Sequence, residues 1–224
     1  MRLQSLAAGP DTTTPEEFAK TIAACEDVHK KLRQTRDELA KTHPAKEVDW
    51  AVQNARVVVT AMQQRGGNMM VRDAAMAENV AWILEQNPDA KIVLWAHNGH
   101  VAKQLFAMGN HLDQRFGKRH LAIGFATSRG EYQAIGKQGL SNHRLQAAPP
   151  DSYEAAFERT GLPRFLLDLR PATTAADAAW LAKPHPFRSV GALAMDQQFG
   201  PASLPMLFDA IIFLEQTSAA RPLR

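Results

Sequence analysis

Several residue types and motifs that would assign a function directly are scarce or missing in this sequence. The 224 residues contain a single cysteine, Cys25, which lies on the apolar side of a predicted helix and is interpreted as a buried thiol rather than a nucleophile or a disulfide partner. Gly-rich phosphate loops, a G-x-S-x-G elbow and a CxxC pair are absent. Nucleotide-binding and serine-hydrolase functions therefore lose their usual support.

Charge and hydropathy exclude further classes of protein. The formal net charge is +3, and the charged residues are spread along the chain without a basic run interleaved with aromatic residues, so no nucleic-acid partner is expected. No apolar run approaches the roughly 20 residues that span a bilayer, and residues 1–10 lack a signal-peptide core. We expect a soluble cytoplasmic protein with no membrane partner.

The first 67 residues predict a long helical hairpin. Residues 14–17 (TPEE) form a capping box with proline at the first helical position, and apolar residues then recur every three to four positions to near His43 and Pro44. A second helix is predicted over residues 46–64, and Gly66 and Gly67 are expected to end it.

Residues 68–224 show helical stretches alternating with short apolar runs, which is typical of an α/β fold with a mainly parallel sheet. Helices are predicted over residues 71–86, 101–108, 152–159 and 175–181, and strands over residues 92–96, 121–126, 165–169, 189–193 and 210–214. Residues 138–150 are expected to be the least ordered stretch.

The segment from Lys91 to His100, KIVLWAHNGH, is the strongest candidate for chemistry. Its apolar run predicts a strand buried on both faces, and such strands place polar residues at the ligand-binding edge of an open sheet. His97 and His100 have three interpretations: metal ligands, although no third ligand is evident nearby; hydrogen-bond donors or acid–base groups, with Asn98 orienting the substrate; or caps of the following helix.

The predicted helix from residue 71 carries three further candidates. Arg72 opposes the helix dipole, which suggests a partner such as a carboxylate or a substrate anion. Asp73 is favourable in the first turn for that same dipole, so its position needs no functional explanation. Asn79 lies two turns after Arg72 on roughly the same face and could reach the same region.

Two charged residues follow predicted strands. Arg129 comes after the GFAT run, where either a ligand contact or a simple turn would explain it. Glu215 follows the AIIFL run, where it could polarise a histidine or lie at the surface.

Two stretches, RDAAMAENVAWIL and KIVLWAHNGHVAK, resemble the erythromycin esterase family, whose members carry an RDxxMAxNxxW helix and a strand ending in W-A-H-N-x-H. Further matching segments are IGFATSRGEYQA, LPRFLLDLR, RSVGAL and FDAIIFLEQTSAARPL. The resemblance covers about residues 71–223, and the hairpin fits the family's helical insertion more loosely. It implies a three-layer α/β core, a cleft between that core and a helical part, and a hydrolase that needs no metal or cofactor. The characterised activity is the opening of a macrolide lactone by water.

The family's front half, in which a G-E-x-x-H-G-type segment supplies the water-activating histidine, has no counterpart in this sequence. We therefore expect the carboxyl-terminal portion of a longer protein, with a core that is incomplete on its amino-terminal side and an impaired activity. Response to an antibiotic is an association carried by the family name.

In this interpretation, His97 and His100 polarise the ester carbonyl or the attacking water, and Arg72 positions a carboxylate. The substrate-binding or supporting residues are Asp73, Asn79, Asn98, Arg129 and Glu215. The expected partners are a small-molecule ester or lactone, and either a missing amino-terminal half or a second copy at an exposed sheet edge. The alternative is a non-catalytic α/β module that binds a small molecule or a partner chain.

Overall fold

The computed structural model describes residues 14–65, 71–173, 179–181 and 183–221. The chain forms two compact units that divide inside one helix, between Ile83 and Leu84. The predicted domain boundary between residues 67 and 68 stays a prediction. None of the described helices combines the length and the apolar character needed to cross a bilayer.

The first unit is helical in its described part. Its helices are α1 (Pro15–Gln34), α2 (Arg36–Leu39), α3 (Ala45–Arg65) and most of α4 (Val71–Gln86). The predicted capping box at the start of α1 is confirmed, because the Thr14 hydroxyl accepts a hydrogen bond from the Glu17 amide and the Glu17 carboxylate accepts one from the Thr14 amide. The bounds predicted for α3 and α4 are also confirmed, while the expected stop at Gly66 and Gly67 lies outside the described residues.

The first helix is shorter than predicted. It ends at Gln34 rather than near His43, because the backbone of Thr35 leaves the helical conformation (φ −97°, ψ 6°). The next residue, Arg36, forms two hydrogen bonds of 2.8 and 3.0 Å with the Asp49 carboxylate of α3. No described residue of α1 is buried, and Cys25 is half-buried, so the prediction of a buried thiol is wrong.

Side-chain contacts join α3 to α4 in this unit. The indole rings of Trp50 and Trp82 meet edge to face with centroids 4.8 Å apart. The amide of Gln53 donates a 3.0 Å hydrogen bond to the side chain of Asn79. The arrangement of the long helices as a hairpin stays a prediction.

The second unit contains six described strands and four further helices. The strands are β1 (Ile123–Gly136), β2 (Gly139–Arg144), β3 (Arg164–Asp168), β4 (His185–Arg188), β5 (Phe199–Ala202) and β6 (Ala210–Thr217). The helices are α5 (Asn98–Val101), α6 (Met108–Phe116), α7 (Tyr153–Glu158) and α8 (Leu204–Leu207), with short 3-10 turns at Gly117–Arg119 and Arg170–Thr173.

The unit is α/β, but its sheet is mixed. Four strands are hydrogen-bonded in the order β2-β1-β6-β3, and β4 pairs with β5 separately. Only β1 and β6 are parallel among these described pairs, so the prediction of a mainly parallel sheet is wrong. One reason is β2, which forms a hairpin with β1 inside residues 138–150. Its side chains are almost all exposed, so the sequence carries no apolar alternation there that would predict a strand.

The core lies on one face of this sheet. Ile211 and Phe213 of β6 are fully buried, and they belong to a cluster with side chains from α7, α8 and the loops between the strands. The other buried members of this cluster are Ala102, Ala122, Ala126, Tyr153, Phe157, Leu169, Phe187, Leu204 and Phe208.

The opposite face of the sheet is partly uncovered. Phe125, Ile212 and Leu166 are cross-strand neighbours on β1, β6 and β3, and Leu166 is 62% exposed. Leu214 on the same face of β6 is also exposed. The predicted three-layer core would cover this face, and it stays a prediction.

The predicted strand over residues 92–96 is absent. Residues 91–97 form no strand, and Val93 and Trp95 are 90% and 84% exposed, so the segment is not buried on both faces. It is held beside β1 by side chains: the Trp95 and Phe125 rings meet edge to face with centroids 5.3 Å apart, and Asn98 binds the Phe125 backbone.

Two other predicted elements are absent. The helix over residues 101–108 is wrong, because the Lys103 amide donates to the Leu207 carbonyl and Phe106 has a positive φ of 68°. Residues 189–193 follow the end of β4 and form no strand, although Leu193 makes an isolated parallel bridge with Ile135. Most of the helix predicted over residues 175–181 lies outside the described residues.

Candidate active site

A cavity of about 400 Å³ opens beside β1 and the carboxyl end of β6 in the second unit. Its lining residues are Trp95, Ala96, His97, Asn98, Phe125, Ala126, Thr127, Arg188, Val190, Leu214 and Thr217. The walls are largely apolar, and His97 and Arg188 are the basic groups of this lining. Two of the predicted site residues, His97 and Asn98, therefore lie together at a cavity.

His97 caps helix α5 through its imidazole. The Nδ1 atom accepts a 3.0 Å hydrogen bond from the Gly99 amide, and the Nε2 atom lies 2.7 Å from the Val190 carbonyl oxygen. An amide nitrogen can only donate and a carbonyl can only accept, so Nδ1 is the acceptor and Nε2 carries the proton. The ring is thus bonded as a neutral imidazole.

The side chain of Asn98 forms the backbone hydrogen bonds that a strand next to β1 would otherwise form. Its side-chain amide donates to the Phe125 carbonyl at 2.7 Å, and its side-chain oxygen accepts from the Phe125 amide at 2.9 Å. A pair of bonds of this kind is what an adjacent strand would offer to the edge of β1. Asn98 therefore fixes the loop that carries the two histidines.

His100 lies in α5 and is half-buried. Its backbone amide donates a 2.8 Å hydrogen bond to the His97 carbonyl, which closes the first turn. The two histidines are one helical turn apart along the backbone, and the convergence of their side chains on one site stays a prediction. The lining of the cavity includes His97 but not His100.

Arg188 is the residue that sequence reasoning missed. It is 4% exposed, and its guanidinium donates to the carbonyls of Thr127, Ser128 and Gln146 at 2.8–3.0 Å. It also donates to the side-chain oxygen of Gln198. The signal was available in RSVGAL, where one charged residue precedes an otherwise small and apolar run.

Glu154 lies fully buried on the other side of Arg188. Its Oε1 atom accepts a 2.8 Å hydrogen bond from the Arg188 backbone amide, and its Oε2 atom has no hydrogen-bond partner among the described residues. Burial raises the pKa of Glu154 to about 7, against the opposing effect of that hydrogen bond. The sequence shows no sign of this burial. Glu154 lies in the first turn of α7, where an acidic residue is expected because it interacts favourably with the helix dipole.

Arg129 and Glu215 bind each other. The guanidinium of Arg129 lies 2.7 Å from the Glu215 carboxylate and 3.4 Å from that of Glu158. In this structure Glu215 is paired with an arginine, and the polarisation of a histidine by Glu215 stays a prediction. Neither residue contributes to the lining of the cavity.

The other three predicted residues lie on α4 in the first unit. Arg72 is exposed, Asp73 is half-buried in the first turn, and Asn79 is bonded to Gln53. Their participation in a site with the histidines stays a prediction. Within the ranges that the structure describes, no three His, Cys, Asp or Glu side chains form a group that could hold a metal ion.

Comparison with known proteins places this chain in a family. The family profile described as erythromycin esterase matches residues 3–217, which is almost the whole chain. The chain belongs to the erythromycin esterase family. The residues that build the cavity therefore lie in a region that other members of the erythromycin esterase family share.

Two curated relatives are similar over part of their length. A putative hydrolase, YbfO, from Bacillus subtilis (strain 168) is 24% identical over 161 residues, which are 66% of this chain and 35% of that protein. Erythromycin esterase type I from Escherichia coli is 33% identical over 87 residues, which are 34% of this chain and 21% of that protein. The chain thus spans only a minor part of the length of these relatives.

Three solved structures share the fold. A Bacillus cereus protein is 26% identical with a TM-score of 0.79, over 92% of this chain and 53% of its own. A succinoglycan biosynthesis protein is 23% identical with a TM-score of 0.76, over 92% of this chain and 51% of its own. A mutant of the erythromycin esterase EreC in its open conformation is 20% identical with a TM-score of 0.61, over 91% of this chain and 54% of its own.

Proposed function

We propose that this chain contributes the site of a hydrolase that opens a carboxylic ester or lactone by attack of water without a metal ion. The observation that carries this proposal is the His97–Asn98 loop, which lies at a cavity of about 400 Å³ with largely apolar walls. A cavity of that size is in the range that accommodates small-molecule ligands. Family membership supports hydrolysis as the chemistry.

The proposed roles follow from the hydrogen-bonding capacity of each group. In this structure the Nε2 proton of His97 is bonded to the Val190 carbonyl. A substrate oxygen or water that replaces that carbonyl would meet a donor that can polarise an ester carbonyl or orient the attacking water. His97 and His100 are assigned this role, and Arg72 is assigned the positioning of a carboxylate. Trp95, Phe125 and Leu214 would contact the apolar part of the substrate.

The test is hydrolysis of an aryl ester and of a macrolide lactone by the purified chain. We expect turnover by the unchanged chain, and a loss in kcat/KM on the order of 10²-fold or more in His97→Ala and His100→Ala, the usual range for removing a catalytic proton donor. The control is His43→Ala, since His43 is an exposed residue of the first unit.

Two results would overturn the proposal. One is equal turnover in the unchanged chain and both histidine variants, and the other is no turnover by any of them. Circular dichroism of each variant separates loss of activity from loss of folding.

The second candidate function is binding without catalysis. The observation favouring it is that both ring nitrogens of His97 are already bonded to backbone groups. In that case the same esters and lactones should change the fluorescence of the unchanged chain without being hydrolysed. The Trp95→Phe variant should lose most of that change, because Trp95 lines the cavity and is 84% exposed.

A further inference from the structure

The RSVG segment, Arg188 to Gly191, encloses the imidazole of His97. The Val190 carbonyl accepts the proton of Nε2, and a Cβ atom built on Gly191 would lie 3.3 Å from Nε2 and 3.4 Å from Cδ2. A Cβ on Gly99 would lie 3.1 Å from Nδ1. Glycine at both positions leaves space for the ring, and the ring is held between the two backbones.

The position of the Val190 carbonyl depends on how the end of β4 is anchored. Arg188 ends that strand, and its guanidinium bonds the backbone of β1 at Thr127 and Ser128 and the backbone of Gln146. The same guanidinium lies 4.3 Å from the centroid of the Phe199 ring. These contacts join β4 to the strand against which the histidine loop rests.

A second set of bonds fixes the backbone on either side of Arg188. The Arg188 amide donates to Glu154, and the Ser189 amide donates to the Gln198 carbonyl at 2.8 Å. Val190 follows directly, so its carbonyl has little freedom to move. The buried polar groups form one connected network, in which the loss of one member leaves others unsatisfied.

We propose that Arg188 is a positioning residue that holds the Val190 carbonyl so that the imidazole proton of His97 stays on Nε2. The contribution of Arg188 to catalysis rests on the proposed hydrolase function, whereas its effect on the tautomer of His97 is independent of that function. In this arrangement His97 donates to Val190 and accepts from Gly99, so the orientation of its ring beside the cavity is fixed, whereas the opposite tautomer would lose both bonds.

The proposal is tested by NMR of the full chain carrying 15N-labelled histidine, with the His97 signals assigned through His97→Asn. In the unchanged protein we expect a protonated Nε2 and an unprotonated Nδ1 at neutral pH. In Arg188→Gln we expect a mixture of the two tautomers. The control Arg164→Gln removes an exposed guanidinium from β3 and should leave the signals unchanged.

A second variant keeps the network and disturbs only the ring. Gly191→Ala should push the imidazole away from the Val190 carbonyl, shift the Nε2 signal and lower kcat by about tenfold to a hundredfold with little change in KM, since small misplacements of a catalytic group cost rates of this size. A fixed Nε2-protonated ring in both Arg188→Gln and Gly191→Ala would overturn the proposal. If the tautomer shifts in a chain without hydrolytic activity, the positioning role stands and the proposed hydrolase function fails.

Discussion

Replacing Glu154 with glutamine should remove a loss of stability that the unchanged protein undergoes between about pH 4.5 and pH 7. The carboxyl has an ordinary pKa of 4.5 when exposed, and burial raises the pKa to about 7 in the folded chain. Between these values the unfolded chain has released the proton and the folded chain has kept it. The unfolded state therefore binds fewer protons, and the free energy of unfolding falls as the pH rises.

The expected size of this effect is large for one side chain. Each pKa unit corresponds to about 1.4 kcal/mol, so a rise from 4.5 to about 7 amounts to roughly 3 kcal/mol. Glu154 is fully buried, so solvent screening does not reduce this figure appreciably. Glutamine retains an oxygen for the Arg188 amide and has no charge to bury.

Urea unfolding at pH 5 and pH 7 measures the effect. Between these two pH values the free energy of unfolding should fall by roughly 2 kcal/mol more in the unchanged protein than in Glu154→Gln, because part of the full effect lies below pH 5 and above pH 7. Glu131→Gln is the matched control, because Glu131 is an exposed residue of β1 and the substitution should preserve the slope of the unchanged protein. Parallel pH profiles for the unchanged protein and Glu154→Gln would show that the buried carboxyl is not the cause.

Gly130→Ala should destabilise the second unit by about 4 kcal/mol or more, which is exceptional for a single substitution. Gly130 has a φ of 120°, and a Cβ atom there would lie 1.9 Å from the Thr217 carbonyl oxygen. The obstacle is backbone of β6 at the last paired position, so a side-chain movement cannot relieve it. Immediately after Gly130, β1 begins to pair with β2.

Gly139→Ala separates the two causes of the stability loss in Gly130→Ala, which are backbone strain at a positive φ and the clash with the Thr217 carbonyl. Gly139 also has a positive φ, 91°, but a Cβ there would meet nothing within 4 Å. Its substitution should cost only the backbone strain of about 1–2 kcal/mol. Chemical unfolding of both variants compares them directly, and equal losses would contradict the steric explanation.

The elements that were predictable from the sequence are those whose signals are local. The Thr14 capping box, the bounds of α3 and α4, and the buried strand β6 depend on neighbouring residues or on one helical period. The sequence also singled out the loop with His97 and His100, because polar residues directly after an apolar run are visible without any knowledge of the fold. His97 and Asn98 of that loop line the cavity, and the catalytic roles stay a prediction.

The missed features depend on partners far away in the chain. The apolar run Ile92–Ala96 has the composition of a strand, but whether it pairs depends on the edge of β1, which Asn98 occupies at Phe125. The burial of Arg188 depends on carbonyls 42–61 residues earlier in the sequence. Such separations leave no periodic pattern, so only the folded chain reveals them.

The side-chain amide of Asn98 has a consequence for the behaviour of this protein at high concentration. An unpaired strand edge offers its amides and carbonyls to other molecules and can serve as a template for fibril growth. On β1, Asn98 takes both backbone groups of Phe125, and Arg188 takes the carbonyl of Thr127. A foreign strand would have to displace both side chains before it could add to the sheet at these positions.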